Sequence, residues 1–276
     1  MKLWKSLSAT FVSALHHPRL WLLQFFGNVL LALIFIWWLR VDPDTGWDVF
    51  LNVLIALIFL AGALLLHGGT LNYCSDVYEG KDGGLKPAFR NALRHLPAIA
   101  VSVAIFYVLL YFTDKLDNYQ YQLPGYLRSE FPAWLRRRIS EPAMDNLYDG
   151  LVFVIHWIVI PGLVLPLCLL CARTGFRGFI SLRAWWRTVR DLAFWIVLIV
   201  AVLIGVYCTG KIMQWKLDPK TATLGAEKVW LAFRLLVVYL MALFSWLWVC
   251  SMMARARPSP IHQRHRKRWL LRNFLP

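Results

Sequence analysis

Apolar residues run along this chain in six long blocks separated by shorter polar connections. The blocks cover residues 20–39, 49–71, 96–113, 151–171, 192–210 and 229–252, and none contains Asp or Glu. A helix needs about 20 apolar residues to cross a hydrocarbon core about 30 Å thick. Each block therefore predicts a spanning helix. The third is the shortest and opens at Pro97, which a first helical turn tolerates. The fourth holds Pro161 and Pro166, which predicts a kink. The expected fold class is all-α: a polytopic membrane protein with six transmembrane helices, forming one domain over residues 1–276.

Amphipathic patterns fill the connections. Leu3, Leu7, Phe11 and Leu15 recur every four residues and predict a short helix in the membrane interface ahead of the first span. Ser6, Ser8, Thr10, Ser13 and His16-His17-Pro18 interrupt the stretch, so it does not read as a cleaved signal peptide. Leu85, Ala88, Phe89, Ala92, Leu93 and Leu96 form an apolar stripe, with Lys86, Arg90 and Arg94 forming a basic one. Leu182, Trp186 and Val189 lie in the same way beside Arg183, Arg187 and Arg190. A shift of 96 residues aligns 88–111 with 184–207; Ala88/Ala184, Arg94/Arg190, Leu96/Leu192 and Tyr111/Tyr207 are identical. A parallel internal repeat would make spans 2–3 and 4–5 equivalent units; any basic helix ahead of any apolar span would give a similar match. The connection 114–150 holds Tyr119, Tyr121, Tyr126, Phe131, Trp134 and Tyr148, and predicts one or two interfacial helices capping the bundle.

The stretch Gly68-Gly69…Asp76…Gly80-Lys81…Leu85…Ala88-Phe89-Arg90…Leu93-Arg94 resembles the second-span region of bacterial polytopic membrane families. The membrane domain attached to some glycerophosphodiester phosphodiesterases is one of them. The resemblance covers residues 60–112, with a fainter echo in 165–207. It implies a six-helix membrane bundle and no particular activity. These 276 residues contain no counterpart of the soluble phosphodiesterase domain, so no catalytic residue carries over.

Composition agrees with the pattern. Hydrophobic residues make up 59% and charged ones only 16%, against about a quarter charged in soluble domains. That excludes a disordered chain and argues against a water-soluble globule. The charge alternates between connections. Segments 1–19, 72–95, 172–191 and 253–276 carry 19 Lys and Arg against 4 acids, whereas 40–48, 114–150 and 211–228 carry 10 against 11. The positive-inside rule then puts both termini in the cytoplasm, and the resemblance to bacterial families implies the inner membrane of a bacterium. The net charge of +15 is in this light a topology signal, and no nucleic-acid partner is expected. The expected partners are the lipid bilayer and other membrane proteins. The basic residues Lys86, Arg90, Arg94, Arg183, Arg187 and Arg190, with Arg266, Lys267 and Arg268 of the tail, share one face. They are candidate contacts for anionic lipid headgroups, or ordinary anchoring charges whose stems lie along apolar surface.

Ionisable or polar groups inside a span are functional candidates. Arg234, His156 and Asn52, with Tyr239 deeper, lie toward the less basic side and are candidates for one outward-facing pocket. The competing reading has Arg234 reaching the interface and His156 bonding a neighbouring helix. His67 and the five cysteines include Cys168-x-x-Cys171, but free cysteine is also a small apolar residue, and neither metal nor cofactor is expected. The sequence holds no P-loop, G-x-G-x-x-G, H-E-x-x-H or G-x-S-x-G motif, and no carboxylate within a span. An enzyme or an ion-coupled pump is therefore not expected. The expected role is a non-enzymatic accessory, assembly or scaffold component; the alternative is a small-molecule or lipid transporter using that pocket.

Overall fold

The computed structural model describes residues 2–42, 44–79, 84–117, 119, 122–215 and 223–255. Its helices are α1 (Lys2–Leu15), α2 (Pro18–Trp38), α3 (Gly46–Tyr78), α4 (Leu85–Arg94), α5 (Leu96–Asp117), α6 (Leu123–Glu130), α7 (Ala133–Arg136), α8 (Glu141–Thr174), α9 (Arg177–Ile180), α10 (Leu182–Val189), α11 (Leu192–Gln214) and α12 (Leu224–Arg255). Six of them, α2, α3, α5, α8, α11 and α12, are long and apolar enough to cross a membrane. No strand occurs among the described residues. The chain is an all-α polytopic membrane protein.

Several spans outrun their apolar blocks, and local chemistry explains where they stop. The start of α3 is fixed by a reciprocal cap: Asp48 N–H donates to Thr45 Oγ1 at 3.3 Å, and Thr45 N–H donates to Asp48 Oδ2 at 3.1 Å. In α8, Ser140 Oγ accepts from Ala143 N–H at 3.4 Å, with Pro142 in the first turn. The fourth span thus begins ten residues ahead of its apolar block, and the far connection shrinks to α6, α7 and their joints. Tyr148, which the sequence groups with that cap, is buried in α8 and donates to Leu116 O at 2.6 Å. Where the prolines predict a kink, the fourth span carries a π-helical turn over Ile155–Val159 ahead of Pro161, and Pro166 lies within the α-helix that follows. Pro161 has no N–H for a regular α-helical bond, and just before it the Ile160 N–H bonds to Ile155 O. A second π turn, Leu203–Cys208, lies in α11, where Thr209 Oγ1 donates to the carbonyls of Gly205 and Val206 at 2.8 Å each.

The six spans form three hairpins: α2–α3, α5–α8 and α11–α12. One end of the bundle, the terminal end, carries the surface helices α4, α9 and α10 and both chain ends of the spanning region. The far end carries the hairpin turns. Burial is concentrated toward the terminal end. The buried stretches are Leu64–Ser75 of α3, Ile160–Ala172 of α8, Ala193–Val202 of α11 and Leu243–Ala254 of α12. No described residue of α2 beyond Leu31, of α3 before Ile55 or of α12 before Leu243 is buried.

The surface helices are fastened to that closed end by small residues. Ala88 and Ala92 of α4 are fully buried. A Cβ on Gly69 would lie 2.7 Å from the Phe89 ring, so the missing side chain is what lets α4 seat against α3. The start of α11 lies 96 residues after the start of α5, and α10 precedes it as α4 precedes α5. Helix α1 departs from expectation. One of its faces belongs to the core: Thr10 and Ala14 are buried, Trp248 Nε1–H donates to Thr10 Oγ1 at 3.2 Å, and the Phe11 ring stands edge-on to Phe244 and Trp248. The opposite face, with Trp4, Val12 and Leu15, is exposed.

The glycine at position 178 tests this packing. A Cβ there would sit 2.7 Å from Cys171 N and 2.8 Å from Leu170 C, both backbone atoms, whereas a Cβ on Gly210 meets nothing within 4 Å. Gly178→Ala is expected to cost about 1–3 kcal/mol through overpacking. Gly210→Ala is expected to be neutral or to gain about 0.5 kcal/mol by helix propensity. Thermal unfolding of the two variants in one detergent compares them directly; equal melting temperatures would contradict the close approach.

Candidate functional site

Two polar centres hold the terminal half together. The first joins α2, α3 and α12. Gln24 is fully buried and its amide donates to Thr70 Oγ1, while Thr70 Oγ1–H donates to Leu66 O at 2.8 Å. One turn on, Asn28 Nδ2 donates to Gln24 Oε1 and to Tyr239 Oη, both at 3.1 Å, and the Tyr239 hydroxyl donates to Gln24 O at 3.1 Å. Gln24 and Asn28 are at i, i+4 on one face of α2, and three helices share one chain of hydrogen bonds. Sequence reading passed over both residues, though two amides one turn apart in an apolar run were a visible signal. Beside this centre, His67 Nδ1 and Trp246 Nε1 are buried without a hydrogen-bond partner among the described residues, their rings perpendicular with centroids 5.4 Å apart.

The second centre joins α3 to α8. Arg173 lies among Ser75, Asp76 and Glu79; it donates to Ser75 Oγ and Glu79 Oε1, to Glu79 Oε2 at 2.9 Å and to Asp76 Oδ1 at 3.4 Å. Just inside it, the carbonyl of Ala172 accepts from Asn72 Nδ2 at 3.1 Å and from Asn91 Nδ2 at 3.3 Å. That carbonyl belongs to the last turn of α8, where no further helical N–H is available. Removing one partner of such a pair leaves a poorly solvated charge, which costs far more than the pair contributes net.

The four residues expected to share a pocket lie in separate places. Asn52 Nδ2 donates to Val41 O at 3.1 Å and lines a cleft of about 550 Å³ at the α2–α3 turn with Trp38, Asp42 and Val49. His156, placed by the π turn, has its Nδ1 3.0 Å from Thr113 Oγ1 and 3.5 Å from Asp114 Oδ1. It lines a second cavity of about 410 Å³ with Asp114, Asp149, Phe153 and Trp157. Arg234 donates to Met213 O at 2.8 Å and Trp215 O at 2.6 Å, which closes the α11–α12 hairpin. Tyr239 belongs to the three-helix centre. The reason they do not converge is rotational: each sits in a different hairpin or on a different face, and depth along a span does not fix azimuth.

Of the nine candidate headgroup contacts, Lys86, Arg90, Arg94, Arg183, Arg187 and Arg190 are exposed on α4, on α10 and at the residue after it. Arg266, Lys267 and Arg268 lie outside the described residues. Among the described residues no group of three or more His, Cys, Asp or Glu is arranged to hold a metal ion. The chain matches no protein-family model, no curated protein and no solved structure.

A double-mutant cycle tests the three-helix centre. Asn28→Ala and Tyr239→Phe each remove one end of the Asn28–Tyr239 bond, and the cycle cancels the further loss of the Tyr239–Gln24 bond in the second variant. A coupling of about 0.5–1.5 kcal/mol is expected, the range of interhelical hydrogen bonds in membranes. Strict additivity in unfolding measurements would show that this bond does not form.

Proposed function

We propose that this chain is a non-enzymatic accessory, assembly or scaffold component of a bacterial cytoplasmic membrane, with both termini on the cytoplasmic side. The orientation rests on the surplus of Lys and Arg in the terminal-end connections. Kinship with six-span membrane families, on the residues around Gly68 to Arg94, belongs to the same reading. The observation that carries the role is where the polar groups go. Gln24, Asn28, Thr70 and Tyr239 bond helix to helix, as do Asn72 and Arg173. They fasten a rigid body and do not converge on a shared chamber. A body closed at one end, with hairpins presenting apolar flanks toward the other, is suited to holding neighbours in the bilayer.

The test is purification of the tagged protein from native membranes in mild detergent, with mass spectrometry of co-purifying proteins. A partner held at fixed ratio through size exclusion is expected. Release of that partner by Tyr126→Ser with Trp134→Ser, two exposed aromatics at the far end, would map the contact. A protein that remains alone under several mild detergents would defeat the scaffold reading.

A second reading, small-molecule transport, is favoured by one observation. The cavity beside His156 brings an imidazole and two carboxylates, Asp114 and Asp149, together with two aromatic rings. Transport predicts that His156→Ala abolishes solute flux in proteoliposomes while the melting temperature changes little. Flux that persists unchanged in the variant removes this reading.

A further inference from the structure

The terminal end carries a charge that nothing in the described fold neutralises. Lys86, Arg90, Arg94, Arg183, Arg187 and Arg190 are all exposed, and none has an ion-pair partner among the described residues. The described acids at that end are already engaged. Asp76 and Glu79 bond Arg173, and Asp191 Oδ1 accepts from Ala193 N–H at 3.0 Å as the cap of α11. Both surface helices are held from beneath. Ala88, Ala92 and Thr188 are buried, Asn91 Nδ2 donates to Ala172 O at 3.3 Å, and Trp185 Nε1–H donates to Leu163 O at 2.7 Å.

The two helices differ at corresponding positions. Where α4 presents Lys86 and Arg90, the positions 96 residues on present Leu182 and Trp186. Both apolar side chains are exposed, and the neighbouring Ile180 is 82% exposed. An exposed apolar edge beside arginines is stable where acyl chain meets headgroup. The Arg190 guanidinium lies 6.0 Å from the Trp186 ring centroid, which orients it toward that level. Five of the six cations are arginines, whose planar fork matches phosphate oxygens in pairs.

We propose that α4 and α10 form one binding surface for the phosphates of anionic phospholipids, in which α10 embeds Leu182 and Trp186 among the acyl chains and α4 carries its cations at headgroup level. The surface selects anionic over zwitterionic lipid, and that selection is independent of whether the protein is a scaffold or a transporter.

The test reconstitutes the full chain into nanodiscs of equal phosphatidylglycerol and phosphatidylcholine, re-extracts it gently and counts retained lipids by mass spectrometry. Each cation near an anionic surface is worth about fivefold in binding. The wild type is therefore expected to retain phosphatidylglycerol over phosphatidylcholine by about fivefold or more. Lys86→Gln/Arg90→Gln/Arg94→Gln and Arg183→Gln/Arg187→Gln/Arg190→Gln should each lower that ratio by about threefold or more. Leu182→Ser/Trp186→Ser should lower total retained lipid and leave the ratio unchanged. Retention at the bulk ratio by the wild type, or an unchanged ratio in both charge variants, overturns the proposal. Loss of the enrichment at phosphate concentrations equal to those of the anionic lipid, with no loss in chloride of the same ionic strength, would also overturn it, since the site would then prefer free phosphate.

Discussion

A polar group at bilayer depth has no water to turn to, so it must find its partner within the protein. That constraint organises this molecule. Gln24, Thr70, Asn28 and Tyr239 answer it together, because an amide with both donors and an acceptor to satisfy needs more than one helix around it. Arg173 answers it at the membrane edge, where Ser75 and Asp76 of the last turn of α3 and Glu79 just after it supply acceptors. Each centre binds different hairpins to one another, and both lie in the half where the apolar core is buried.

The far half obeys the same rule differently. Its polar bonds stay within a hairpin: Asn52 to Val41 O, Thr113 with His156, Tyr148 to Leu116 O, Arg234 to Met213 O and Trp215 O. Each turn is therefore closed on itself. The hairpins gain little there by meeting, because an apolar side chain is as well placed against lipid as against another helix. The contrast between a stapled end and an end of self-contained hairpins follows from where the amides and the guanidinium fall in sequence.

The spans were legible because crossing hydrocarbon demands a length of apolar residues that little else produces. Their true ends were less so. Helix α3 continues through Asn72, Ser75 and Asp76 because those side chains turn inward to Ala172 and Arg173, a tertiary fact that hydropathy does not carry. Likewise α8 begins at Glu141 because Ser140 caps it. The amphipathic pattern of α4 was readable in Ala88 and Ala92, which lie buried against the bundle. In α10 the apolar stripe misleads: Leu182 and Trp186 are exposed, and it is Trp185 and Thr188 on the adjoining face that hold the helix. The grouping of Asn52, His156, Arg234 and Tyr239 was not, because depth along a helix follows from residue number whereas azimuth follows from packing. In α8 His156 lies within the π turn ahead of Pro161, a local geometry that hydropathy does not carry, and there it stands beside Thr113.

Helix α1 shows how the constraint and the surface meet. An interfacial helix with Leu3, Leu7, Phe11 and Leu15 along one side need only float on the bilayer. Here Thr10 changes the outcome: its hydroxyl donates back to Leu7 O at 3.0 Å and accepts from Trp248 Nε1–H. That tryptophan would otherwise leave a donor unpaired in the core of α12. The bond pulls the helix face holding Thr10 and Ala14 against the bundle and turns Trp4, Val12 and Leu15 outward. A segment that its apolar spacing assigns to the lipid surface is thus joined to the core by the packing of Ala14 and Phe11 together with one indole–hydroxyl bond.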